Sequence, residues 1–322
     1  MVQDKGGRED RFAPVFRLLG PCSYISLGPP EAPRRSPVSG FTRRIAHLSD
    51  VHTLDPEHRR SSARYRIATK AVSLGRPVDP RARARKLARG LEAAKASGAD
   101  HVVITGDLTE IGDAKEFEHF AQILDDARMP EGTVTLVPGN HDAYTSAAAW
   151  RRALEGPLAR YARASATDAG KVVDRGDVAF LPIDTSCFQS IARSGGMFTP
   201  DAARAVQSRI DDPGLRDKSI VLVMHHPPFE RHGNPLSEWI DGLRGCKHVL
   251  EMLARHPRVQ ILHGHMHRVV DRIVDLGKGV AGLANRARIL GAPAIVDDAE
   301  IPRVRLYDLR DGILESAGLF AM

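Results

Sequence analysis

The stretch RIAHLSDVH, residues 44–52, decides the fold. A short apolar run ends in an aspartate and, two residues on, a histidine. Runs of this length and composition read as buried strands of α/β proteins. Four further stretches repeat the arrangement: HVVITGD at 101–107, VTLVPGNHD at 134–142, IVLVMHH at 220–226 and VQILHGHMH at 259–267. Each is followed at once by oxygen or imidazole donors. Strand ends converge in space, so five strands of one sheet can gather Asp50, His52, Asp107, Asn140, His225, His265 and His267 into one polynuclear metal site.

These donor types suit divalent Mn, Fe or Zn, which accept imidazole and carboxylate together. Residues two apart on an extended strand point the same way, so Asp50 and His52 are expected to reach one ion. Asp107 has two oxygens and can bridge two ions. Asn140 offers a neutral amide oxygen after the Pro138-Gly139 turn. His265 and His267 can face one ion each if the backbone there is irregular. Singly, an Asp-x-His or a Gly-Asp is also explained by a surface turn. All five motifs in order, each at a strand end, are a strong signal.

Other residues read more blandly. His226 and His263 neighbour the donor positions, and strand alternation is expected to turn them away into packing. His101 starts a strand and reads as a surface residue. Phe229, His232 and Trp239 lie in a loop after His225 and can line a pocket or merely pack the loop. Tyr144, Asp184 and Thr185 stand close to strand ends, as candidates for substrate contact.

Around the motifs, strand and helix patterns alternate. Helices are expected over 81–97, 113–127, 145–164, 200–210 and 244–256, and strands over 101–105, 133–137, 178–183, 219–224 and 259–263. The tail reads as short strands at 268–275, 293–297, 303–308 and 313–318. Alternation implies a largely parallel sheet covered by helices, and the strand-rich tail suggests a second sheet packed on the first. The expected class is α/β of the four-layer type: two packed mixed sheets flanked by helices, with the metal site at strand C-terminal ends. Residues 1–40, rich in Gly, Pro, Arg and Ser, read as a flexible extension before a domain over 41–322. The polar stretch from 51 to 80 reads as an excursion over the site.

Composition narrows the function classes. The chain has 322 residues, 42% hydrophobic and 27% charged, as expected for one large soluble domain. No apolar run approaches the roughly 18 residues needed to span a bilayer. The N-terminus MVQDKGGREDRF has no apolar core of a secretory signal, so a cytoplasmic location is expected. Cys22, Cys187 and Cys246 are odd in number and far apart, which reads as reduced, inert thiols. The net charge of +6 fits anionic substrates, including nucleic acid. However, PRARARKLARGLEAAKASG at 80–98 spaces Leu87 and Leu91 as an amphipathic helix with a solvated basic face. Aromatics at 5% leave little for base stacking, so nucleic acid is not the favoured partner.

The ordered set Asp50-x-His52, Gly106-Asp107, Gly139-Asn140-His141-Asp142, His225 and Gly264-His265-x-His267 resembles the calcineurin-like metallophosphoesterase superfamily, over about residues 43–270. The resemblance implies two divalent ions, Mn or Fe ahead of Zn. One is held by Asp50, His52, Asp107 and His267, the other by Asp107, Asn140, His225 and His265, with Asp107 bridging. It implies that His141 is no ligand but meets the phosphate or leaving group, and that Asp142 orients His141. Protein serine/threonine phosphatases of the superfamily carry Asp-Arg-Gly after the Gly-Asp motif and an arginine soon after Gly-Asn-His. Here the segments read GDLTE and GNHDAY. A phosphomonoester dianion gains from a bidentate arginine clamp, whereas a diester monoanion needs less. The strings GDLT and HHPP also look like the superfamily's class III cyclic-nucleotide and glycerophosphodiester phosphodiesterases. The implied function is therefore hydrolysis of a small phosphodiester by metal-activated water. A nuclease, or a nucleotide or lipid pyrophosphatase of the same fold, is the alternative. A non-catalytic scaffold would have no chemical use for the intact donor set.

Overall fold

A computed structural model describes residues 43–229, 234–256, 258–278, 284–297 and 301–321. The expected N-terminal extension and His232 lie outside these residues. In chain order the strands are β1 (Arg43–Leu48), β2 (His101–Thr105), β3 (Val134–Val137), β4 (Val173–Asp174), β5 (Val178–Pro182), β6 (Gly196–Met197), β7 (Ser219–Val223), β8 (Leu243–Arg244), β9 (Val259–His263), β10 (Val270–Lys278), β11 (Ala284–Gly291), β12 (Val304–Arg310) and β13 (Ile313–Phe320). The helices are α1 (Ala63–Val72), α2 (Pro80–Ala96), α3 (Ala114–Asp126), α4 (Ala149–Glu155), α5 (Pro200–Ile210), α6 (Pro235–Asp241) and α7 (Cys246–Arg255).

Strands pair into one sheet of order β13-β12-β1-β2-β3 and another of order β10-β11-β9-β7-β5-β4, with a separate β6-β8 pair. Within the first, β1, β2 and β3 are parallel, and β12 and β13 add antiparallel. Within the second, β5, β7, β9 and β11 are parallel, with antiparallel β4 and β10 at the two edges.

Period-two alternation shows how the layers stack. On β1, Ala46 and Leu48 join a cluster with Leu87, Leu91, Phe117 and Phe120 of α2 and α3. Ile45 joins another cluster with Val103, Phe180, Val221, Val223 and Leu262, which draws on both sheets. On β7, Ile220 and Leu222 pack instead with Val206 of α5 and Leu253 of α7. The order is therefore helices, sheet, sheet, helices, as expected. Each layer contact buries aliphatic side chains worth roughly 1.5–3 kcal/mol apiece.

Three expectations need correction. The five donor-bearing strands do not share a sheet: β1, β2 and β3 lie in one, β7 and β9 in the other. The tail does not build the second sheet alone. Instead β10 and β11 extend the sheet of β9, while β12 and β13 extend that of β1. Residues 293–297 form only a bridge, Ala294 to Ser49, and the strand lies earlier, at Ala284–Gly291. The helix expected over 145–164 is also shorter: α4 ends at Glu155, with Gly156 as its C-cap before Pro157, and a 3-10 turn follows at Ala159–Ala164. A proline removes a helical N–H and forbids the α conformation to its predecessor.

α2 is capped by Asp79 with Pro80 in its first turn, and α3 by a reciprocal box between Asp113 and Glu116. Arg81, Arg85 and Arg89 of α2 are exposed as expected, but Arg83 is buried, 2% exposed. No described helix is long and apolar enough to cross a membrane.

Candidate metal centre

The parallel strands deliver their C-terminal ends to one side of the sheet pair, and the seven donors follow those ends. Asp50 and His52 leave β1, Asp107 follows β2, Asn140 follows β3, His225 follows β7, and His265 and His267 follow β9. The loop after β1 is held along the loop after β2 by Asp50 N–H donating to Gly106 O and His52 N–H to Asp107 O, at 3.1 and 2.8 Å.

Asp50 and His52 are not on extended strand, however. Both adopt left-handed backbone, φ 52° and 54°, as do Asp107 (50°), His265 (67°) and His267 (53°). Non-glycine residues avoid this region at a cost of order 1–3 kcal/mol each, and such strain concentrates at functional sites. Gly106 (φ +83°) is part of the same turn: a Cβ there would stand 2.5 Å from His225 Nδ1. Glycine is the residue that permits both the conformation and the approach.

Asp107 is the hub. Its Oδ2 lies 3.3 Å from His225 Nε2, 3.7 Å from His52 Nε2 and 4.0 Å from His141 Nε2, and its Oδ1 accepts from His141 N–H at 2.9 Å. On one flank Asp50, His52 and His267 group within ligand distance of one another, with His267 Nε2 3.3 Å from Asp50 Oδ1. On the other, His225 Nε2 meets Asn140 Oδ1 at 3.2 Å and His225 groups with His265. His265 and His267 thus face different flanks, the outcome the irregular backbone allows.

Burial opposes ionisation of Asp107, yet the surrounding His225, His141 and His52 hold its carboxyl well below the ordinary value. Burial likewise opposes charge on His225, but Asp107 and Asp50 push it up to about 9. For His52, burial and then His141 dominate, and its pKa falls to about 4. The residues fit ions on an observation of their own: Asp50 Oδ1 and both ring nitrogens of His52 are buried without a hydrogen-bond partner. Buried polar atoms are rarely left so, because the desolvation cost is uncompensated. Clustered carboxylates and imidazoles of this kind are satisfied by cations.

Asp142 does not orient the His141 ring. Its carboxylate accepts from Gly139 N–H, Leu108 N–H, Thr109 N–H and the Thr109 hydroxyl at 2.7–3.1 Å, tying the loop after β3 to the loop after β2. Burial first, and then the Asp107 charge, raises its pKa to about 6. The His141 ring is held instead at Nδ1 by Glu110 O, 2.6 Å away.

Three residues outside the expected donor set take part: Glu110, Arg83 and Asp297. Glu110, inside GDLTE, approaches His52 Nδ1 at 3.1 Å and receives Arg83 at 2.6 Å. Asp297 pairs with His267 Nδ1. The sequence signal for Glu110 is its place three residues beyond Asp107. Asp297 carries no local signal.

The secondary candidates divide. His226 does not turn away, since its ring lies 4.8 Å from those of His225 and His265, but Thr185 and Ser194 O engage both its nitrogens. Tyr144 receives Asn140 Nδ2 at 2.8 Å and donates to Arg193 O at 3.0 Å. Trp239 is half exposed under the Arg193 guanidinium, while Phe229 packs beneath Arg272 and beside His263. Asp184 is exposed and caps Ser186. His101 is no surface residue: it is 1% exposed and stacks on Phe180 at 4.5 Å.

Fold and donors together define a class, a two-sheet α/β scaffold with side chains for two divalent ions at its strand ends. A family model described as calcineurin-like phosphoesterase matches residues 43–269, more than half of the chain, and the chain belongs to that family. Among curated proteins it is 28% identical over 171 residues to the glycerophosphodiester phosphodiesterase GpdQ of Enterobacter lignolyticus, covering 53% of this chain and 56% of the relative. It is 25% identical over 186 residues to a probable cyclic nucleotide phosphodiesterase of Rhodopseudomonas palustris, covering 53% and 58%. The chain thus spans little more than half the length of these relatives. Among solved structures, a dimetal phosphatase from Danio rerio shares the fold at TM-score 0.57 and 13% identity, over 85% of this chain and 98% of that one. A purple acid phosphatase from yellow lupin does so at 0.52 and 11%, over 87% and 52%.

Proposed function

We propose that this chain is a two-ion phosphodiester hydrolase acting on a small diester, such as a cyclic nucleotide or a glycerophosphodiester. The observation that supports this most is the convergence of His52, His141 and His225 on Asp107 Oδ2. In this reading Asp50, His52, Asp107 and His267 hold one ion, and Asp107, Asn140, His225 and His265 the other. Mn or Fe is favoured, and Zn suits the same donors. When bound, the ions acidify a water and offset charge on the phosphoryl oxygens.

The remaining chemistry belongs to the chain. His141 is fixed at Nδ1 by a backbone carbonyl and presents Nε2 to the site, where, with a proton on both ring nitrogens, it can give the Nε2 proton to the departing oxygen. Asp142 acts through the backbone, locking the two loops that carry Asp107 and Asn140. No arginine stands within GDLTE or GNHDAY, and the buried Arg83 is committed to Glu110, Ser73 and backbone carbonyls. That arrangement favours a monoanionic diester over a dianionic monoester. The two curated relatives carry phosphodiesterase names, which supports the same choice.

The test is steady-state hydrolysis of bis(p-nitrophenyl) phosphate and p-nitrophenyl phosphate by Mn²⁺-loaded protein. Faster diester turnover, lost in Asn140→Ala, is expected. A monoester preference overturns the diesterase reading. Absence of turnover on either, with ions bound, points to a scaffold.

A further inference from the structure

Exposed apolar side chains gather beside the metal centre. Six of the thirteen large ones among the described residues, Phe188, Ile191, Met197, Leu236, Trp239 and Ile240, fall on two short segments. Those segments are tied together: Ser194 and Gly195 N–H donate to Ile240 O at 3.0 and 2.9 Å, and Gly196 N–H to Gly242 O at 3.0 Å. α6 carries Leu236, Trp239 and Ile240 at i, i+3 and i+4, one face of the helix, yet buries none of its residues. Single exposed apolar residues are ordinary, whereas a cluster of them marks a binding surface.

The cluster is fastened to residues of the metal centre. The Tyr144 hydroxyl donates to Arg193 O at 3.0 Å and accepts from Asn140 Nδ2 at 2.8 Å. His226 Nε2 lies 3.0 Å from Ser194 O, and His265 Nε2 lies 3.1 Å from Asp241 O. The Arg193–Trp239 pair therefore stands at the rim beyond Asn140 and His265. Arg193 lays its guanidinium 3.9 Å over the centre of the indole and donates to the Trp239 carbonyl at 2.9 Å, so stacking and a hydrogen bond together fix the pair. Trp239 nevertheless stays 52% exposed. A flat cation on a flat ring, with indole surface still open to solvent, is a platform for another flat group.

We infer that Trp239 and Arg193 form a stacking subsite for a planar ring on one arm of the diester, the chemistry of a nucleobase rather than of glycerol. This rests on the proposed two-ion reading, which puts the phosphate on the donors and the arm beyond them. A base stacked on an aromatic side chain gains about 5- to 100-fold in affinity over the alanine variant.

The experiment compares adenosine 5′-monophosphate with glycerol 3-phosphate, which carry the same phosphate and differ in the arm. Both are titrated into full-length Zn²⁺-loaded protein by calorimetry, with indole emission followed in parallel. Trp150, the other tryptophan, is buried and donates to Ala166 O, so an emission change lost in Trp239→Phe belongs to Trp239. The nucleotide is expected to bind the more tightly and to quench Trp239, and glycerol 3-phosphate to leave its emission unchanged. Trp239→Ala, at an exposed position outside the core, should weaken the nucleotide by about 5- to 100-fold with glycerol 3-phosphate little altered. No nucleotide binding, an unchanged nucleotide affinity in the variant, or equal weakening of both ligands overturns the inference. So does Trp239 emission that shifts with protein concentration alone, the sign that a second copy of the chain covers this face. Nucleotide preference lost in Trp239→Ala, in protein that hydrolyses no diester, would refute the proposed function and leave the subsite standing.

Discussion

At the scale of single residues, burial decides most of the titration behaviour, and it separates histidines that a sequence leaves alike. His101 and His141 are both isolated histidines near strand ends. His101 stacks on Phe180 and bonds Thr135 at 2.9 Å, and burial, with Arg175 and Arg43 nearby, lowers its pKa to about 3. The unfolded chain binds a proton near 6.5, so this residue's contribution to stability is present above that pH and lost as pH falls toward the folded value. Between pH 6.5 and pH 5 the loss is on the order of 1–2 kcal/mol. Urea titrations at those two pH values should therefore differ by about that much less in His101→Gln than in the parent. An identical difference in both proteins would show that His101 does not carry the effect. His141 makes a different prediction. His141→Ala should retain its ions and lose turnover by roughly 10²- to 10⁴-fold, as for a removed general acid. Loss of ions at unchanged intrinsic rate would make it a ligand instead. Glu110 was not legible because an acid in a polar loop looks solvated. Only the fold reveals that Arg83 reaches it from α2.

At the scale of elements, the five strand ends were readable because an apolar run followed at once by charged donors is costly anywhere except where a strand leaves the core. Strands β2 and β9 lie where their patterns place them, at His101–Thr105 and Val259–His263. The conformation of the turns was not readable. Five of the seven donor residues sit at positive φ, imposed by paired loops rather than by any local preference for that region. Gly106 gives the clearest element-level test. Its conformation and the 2.5 Å clearance to His225 Nδ1 leave no room for a methyl group. Gly106→Ala should lower stability by more than about 1 kcal/mol and weaken ion binding, read by denaturant titration and by metal titration. Parental affinity in that variant would mean that the turn does not set the position of His225. Core strands give a companion expectation: Ile104 is fully buried against α2 and α3, so Ile104→Ala should cost about 2–5 kcal/mol in the same titration.

At the scale of the whole molecule, the four-layer order was legible while the partition of strands between sheets was not. Alternating patterns say that helices cover sheets, but which strand pairs with which depends on contacts between segments far apart in the chain. The site draws β1, β2 and β3 from one sheet and β7 and β9 from the other, so it forms only where the two sheets meet. The tail joins both sheets and adds Asp297 behind His267, from beyond the residues the family model matches. All of this converges on Asp107, whose carboxylate faces His52 and His141 from one sheet and His225 from the other. The most direct measurement is the number of divalent ions per chain, by elemental analysis, in parent and Asp107→Ala after equal loading with Mn²⁺. Two ions in the parent and none retained in the variant are predicted. Two ions in both proteins would contradict a centre built on Asp107.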